Sequence, residues 1–111
     1  MVINFWASFC APCLKELPTL SKVASSYHSS VTFLGLAVAT DKNDVAQLKA
    51  KYFLDYQHAF VTDDVVDKWQ ARALPTTYLI DRQGKIRWAK SGITNEEELK
   101  QAISSVLAER R

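Results

Sequence analysis

Residues 2–13 read Val2-Ile3-Asn4-Phe5-Trp6-Ala7-Ser8-Phe9-Cys10-Ala11-Pro12-Cys13. Val2 to Trp6 is a nearly continuous β-prone apolar run, the pattern of a strand covered on both faces. Behind it, Ser8 can cap a helix that carries Leu14, Leu17, Leu20, Ala24 and Tyr27 at steps of three and four. Pro18 falls inside that helix and is expected to kink it, because it removes one backbone donor and crowds the preceding turn. A buried strand thus feeds a helix, and the two cysteines of the chain stand at the junction.

The pattern continues outward. Val31 to Ala39 reads as a second buried strand, and Thr40-Asp41 starts a helix with Val45, Leu48 and Tyr52 on one face. Ala59-Phe60-Val61 suggests a short strand and Asp64 to Gln70 a short helix. Thr76 to Ile80 is a strand, Asp81-Arg82-Gln83-Gly84 a hairpin turn with Gly at the left-handed position, and Ile86 to Lys90 the return strand with Ile86 and Trp88 on one face. Thr94-Asn95-Glu96-Glu97 reads as a capping box. The helix behind it lines up Leu99, Ala102, Ile103, Val106 and Leu107, and Arg110 and Arg111 suit its negative end. Parallel crossovers followed by an antiparallel hairpin predict an α/β fold: one mixed sheet, helices on both faces, the first strand inside.

The chain has 111 residues, 48% hydrophobic and 23% charged, with a formal net charge of +2. That length suits one domain, residues 1–111, large enough to build a core without disulfide staples. A small charge of mixed signs argues against nucleic acid as a partner. No apolar run approaches the ~20 residues of a membrane helix, and no basic segment precedes the first strand to make a secretory signal. Trp69, Trp88, Tyr52 and Tyr78 read as core or rim aromatics, and His28 and His58 as surface residues.

Cys10 and Cys13 close too small a ring to restrict the unfolded chain much, so stapling explains them poorly. Zinc would need two more ligands, and neither His28 nor His58 has the spacing to supply them. Redox chemistry suits the pair better. A helix N-terminus offers unpaired N–H groups and positive potential, which favour a thiolate at Cys10; Cys13, pointing into the first turn, should be the more buried resolving sulfur. No cofactor is required.

Phe5 to Cys13 together with Pro18 resembles the active-site signature of the thioredoxin superfamily. The longer run 2–18, VINFWASFCAPCLKELP, with LPTTYLIDRQGKI at 74–86, is similar to the TlpA/ResA/DsbE-like thiol-disulfide oxidoreductases. The resemblance implies a thioredoxin fold and a redox-active disulfide, with Cys10 as nucleophile and Cys13 as resolving thiol. It also implies a cis Pro75 facing the pair, with Leu74 offering backbone to a bound peptide, and Trp6, Phe9 and Pro12 on the substrate side. Glu16 matches an acidic residue near the second cysteine. It lies one helical turn beyond Cys13 and can share its face, although an exposed helix glutamate is the plainer reading. Asn4 stands where thioredoxin has a buried acid, which makes Glu16 the expected proton acceptor. The family's N-terminal hairpin, signal and anchor have no counterpart in this sequence.

The implied partners are a disulfide-containing protein substrate and an upstream thiol reductant, in a bacterial periplasmic or other extracytoplasmic setting, possible service in cytochrome c maturation included. The chain is expected to be a monomer. Two other functions compete: a peroxiredoxin-like peroxidase, which would want a Thr where this chain has Ala7, and a non-catalytic thioredoxin-like binding module using the Leu74-Pro75 groove.

Overall fold

The computed structural model describes residues 1–109. Its elements are β1 (Val2–Trp6), α1 (Ala11–Ser26), β2 (Phe33–Val38), α2 (Lys42–Tyr52), β3 (Gln57–Val61), α3 (Asp63–Lys68), β4 (Thr76–Ile80), β5 (Ile86–Ser91) and α4 (Glu96–Leu107). The strands form one mixed sheet in the order β3-β2-β1-β4-β5. β1 pairs in parallel with β2 and antiparallel with β4, so the first strand is the middle one.

All five residues of β1 are buried, as a central strand requires. Val2 and Trp6 pack into a large cluster with Cys13, Leu17, Leu20 and Val23 of α1 and Leu99 and Ile103 of α4. Ile3 and Phe5 point the other way, with Leu36, Val66 and Ala71. This alternation is the strand period of two. The Tyr27 hydroxyl ties α1 to α4 at Ser104 Oγ, 2.8 Å away. The aromatics Tyr52, Trp69, Tyr78 and Trp88 pack as partly buried rims of the two clusters.

Several details depart from the sequence reading. α1 is capped by Cys10, whose Sγ accepts from Cys13 N–H at 3.2 Å. Ser8 instead accepts no first-turn bond: its N–H goes to Thr40 Oγ1 at 3.0 Å. Pro18 lies inside the helix as read, and the buried stripe is Cys13, Glu16, Leu17, Leu20 and Val23, with Leu14, Ala24 and Tyr27 at its margin. α4 is capped by Asn95, which accepts from Glu98 N–H at 2.8 Å; the motif is therefore shifted by one, and Thr94 is freed to turn inward. Pairing slips by one residue between Leu79 and Ile80, so Trp88 packs on the core opposite Leu79 while Ile86 stays exposed opposite Ile80. Gly84 takes the turn at φ +82° as expected. Arg110 and Arg111 lie outside the described residues.

Candidate active site

Three chain segments converge at the C-terminal end of β1. The first is the start of α1. Cys10 and Cys13 are disulfide-bonded there, with Cα atoms 5.2 Å apart. Cys10 is half-buried and Cys13 has no exposed surface. The expected asymmetry between an accessible sulfur and a covered one is therefore present. The Cys13 N–H aimed at Cys10 Sγ would hold negative charge on that sulfur once the pair is reduced, and the helix end adds its own positive potential. Pro12, in the first turn, costs no hydrogen bond because its N–H would have lacked an intrahelical partner.

The second segment is the approach to β4. The Leu74–Pro75 peptide is cis, Pro75 is buried, and Leu74 packs against the cluster that includes both cysteines. The third is the loop from β5 to α4, which sequence reading did not single out. Gly92 N–H donates to Pro75 C=O at 2.8 Å, and Thr94 N–H donates to Glu16 Oε2 at 2.7 Å. Between them Ile93 is exposed, as is Phe9 just before Cys10. Gly92 sits at φ +98°, a conformation that favours glycine.

Glu16 is fully buried, which overturns the reading of a solvated helix glutamate. Its Oε1 accepts from Asn4 Nδ2 at 2.9 Å, and the same amide nitrogen reaches Thr77 Oγ1 at 2.9 Å. Burial pushes its pKa up from the ordinary carboxyl value, and the bonds from Thr94 and Asn4 offset part of that. A carboxyl so held takes up a proton more readily than an exposed one. Asn4 therefore occupies the sheet position beneath the helix as the amide that grips the acid.

Trp6 is also fully buried, so it lies beneath the site and offers no surface to a substrate. Its indole Nε1–H donates to His58 Nδ1 at 3.2 Å. His58 is accordingly half-buried, where the sequence reading has it as a surface residue. Burial, with the Lys49 charge adding to it, lowers its pKa to about 4. The signal for this placement was Gly35, a lone glycine within an apolar strand, which often marks close approach of another group. Its partner in register is His58.

No group of three or more His, Cys, Asp or Glu among the described residues could hold a metal ion. No described helix is long and apolar enough to cross a membrane.

The chain is similar to known proteins in sequence and in fold. The chain is 29% identical over 106 residues to the thiol-disulfide oxidoreductase ResA of Geobacillus thermodenitrificans, covering 94% of this chain and 61% of that protein. It is 30% identical over 112 residues to the thiol:disulfide interchange protein DsbE of Xylella fastidiosa, covering 97% of this chain and 55% of that protein. The chain thus spans somewhat over half the length of these relatives. A thioredoxin-family thiol:disulfide interchange protein from Chlorobium tepidum has the same fold, with TM-score 0.86 at 22% identity over 96% of this chain and 79% of that one. The family model described as Redoxin matches residues 1–105, and this chain belongs to the Redoxin family.

Proposed function

We propose that residues 1–111 act as one thioredoxin-fold domain that reduces protein disulfides, with Cys10 and Cys13 cycling between dithiol and disulfide. The observation that carries the reading is the accessible Cys10 at a helix N-terminus, bonded to a covered Cys13 one turn from the buried carboxyl of Glu16. In the reduced protein the Cys10 thiolate attacks one sulfur of a substrate disulfide. A mixed disulfide forms and the other substrate sulfur leaves as a thiolate. Cys13 then gives its proton to Glu16, directly or through water, and attacks Cys10 Sγ. The Cys10–Cys13 bond closes, and the second substrate sulfur departs and takes up a proton. Two electrons pass to the substrate, and an upstream thiol reductant restores the pair.

Phe9 and Ile93, with the backbone at Leu74-Pro75, form the rim on which an extended peptide is received; Pro12 shapes the turn beside them. Trp6 supports that rim from below. The chain works as a monomer in an extracytoplasmic compartment, and the resemblance to ResA and DsbE supports that placement, as it does a role in cytochrome c maturation. The test is reduction of insulin by dithiothreitol in the presence of the protein. Cys13→Ser should accumulate a mixed disulfide on Cys10, and Cys10→Ser should form none. A wild-type protein that binds reduced or oxidised insulin without reducing it, with binding unchanged in Cys10→Ser, would leave a binding module instead of a reductase.

A further inference from the structure

His58 lies outside the dithiol, the cis proline and the buried acid, yet it touches the residue on which the active-site turn is mounted. The Trp6 indole donates to its Nδ1 at 3.2 Å, and the two rings meet edge to face at 5.5 Å and 80°. On its other side the imidazole stacks on Tyr56 at 4.8 Å and 26°. Beneath it lies Gly35: a Cβ there would come within 2.2 Å of His58 Nδ1, so only glycine leaves the ring this place. β3 pairs Gly35 with His58 in register, which puts the imidazole on the face where Trp6, Cys13 and α1 pack.

We infer that His58 is a positioning residue for disulfide exchange: its Nδ1 fixes the orientation of the Trp6 indole, and through Trp6 the turn Ala7–Phe9 that carries Cys10. The inference rests on the disulfide-exchange reading of Cys10 and Cys13. The bond requires an unprotonated Nδ1, and the neutral ring that burial enforces supplies one. Trp6 is wholly buried, so without His58 its indole N–H would be left with no acceptor in the core. The indole would then tilt to find one, and the sulfur pair packed in the same cluster would shift with it.

The test separates hydrogen bonding from bulk. Asn at position 58 puts its Oδ1 where Nδ1 stood, whereas Leu fills the space and accepts nothing. Two signals are read: the 15N–1H resonance of the Trp6 indole, and kcat and KM for insulin reduction. His58→Leu should move the indole resonance upfield and lower kcat about fivefold with KM unchanged. His58→Asn should restore both. Gly35→Ala, which keeps His58 but displaces its ring, should reproduce the Leu effect. The inference is overturned if Asn behaves as Leu does, or if Leu keeps the wild-type resonance and kcat. A wild-type protein inactive on insulin would sink the reductase reading instead, and the resonance in Leu and Asn would still decide whether His58 holds Trp6.

Discussion

Glu16 combines a carboxyl with an apolar surrounding, and two predictions follow from that at the scale of the residue. Replacing it with Gln removes the proton acceptor proposed for Cys13 and a negative charge one helical turn from that cysteine. Insulin reduction should slow by roughly tenfold to 100-fold, with water taking over part of the general-base work. The apparent pKa of Cys10 alkylation should fall, because a nearby carboxylate disfavours a thiolate. An unchanged rate and an unchanged titration curve would reduce Glu16 to packing. The second prediction concerns stability. Folding raises the Glu16 pKa, so the native state binds this proton more tightly than the unfolded chain does. Its contribution is therefore present below the ordinary carboxyl range and is lost as pH rises through the raised value. Urea unfolding from pH 4 to pH 8 should show Glu16→Gln gaining on the wild type as pH increases. Gln can fit because the Asn4 Oδ1 is buried and makes no hydrogen bond with any described residue; turned over, the Asn4 amide presents that oxygen to the new NH2. Spacing from Cys13 made Glu16 legible in the sequence, but its burial depended on Asn4 and Thr94, which are 12 and 78 residues away. His58 was misread for the same reason: a histidine carries no local mark of the strand that will pair beside it.

At the scale of the element, the ends of the helices carry most of the surprises. Ser8 and Thr94 are good capping residues by type, yet Cys10 and Asn95 do the capping. In both places tertiary bonds fix the backbone before the helix start, Ser8 N–H to Thr40 and Thr94 N–H to Glu16, while the Ser8 hydroxyl turns to Asp44; neighbour-by-neighbour reading does not weigh such demands. Asn95→Ala should therefore cost ~1 kcal/mol of unfolding free energy in urea, the usual loss for an N-cap. An effect under a few tenths would mean the helix start is held by its packing alone. The cap at Cys10 is also the sulfur proposed to attack substrate. Among the described residues, the helix end and the Cys13 N–H are what favour its thiolate. Equilibration with glutathione should place the pair near the about −270 mV of thioredoxin, and a value above about −180 mV would identify an oxidant or isomerase instead.

Over the whole molecule, periodicity was sufficient for the layout. Each strand and helix expected from apolar spacing is present, and the central place of β1 followed from a run apolar on both faces. The edges were harder, since β3 alternates little and the slip at Leu79/Ile80 leaves no trace in composition. Burial grades the cost of truncation accordingly. Leu20→Ala, on the buried face of α1 with no exposed surface, should lose about 2–5 kcal/mol, whereas Ile86→Ala on the exposed edge should lose under about 1 kcal/mol. Urea midpoints for the two variants would check the ordering, and equal losses would mean the sheet edge is packed more tightly than its exposure indicates.

The bond from Thr94 N–H to Glu16 spans 78 positions of the chain. During synthesis the dithiol emerges well before Thr94, whose N–H completes the setting of the acid beside it. Until α4 docks, Cys10 and Cys13 form an unadorned thiol pair in a nascent polypeptide, with the acidity of any short peptide. The setting that the proposed chemistry needs is acquired late and all at once, when these two distant stretches of chain meet. A stopped-flow refolding experiment that follows thiol alkylation should accordingly see reactivity change in the same phase as burial of the core, with no earlier step.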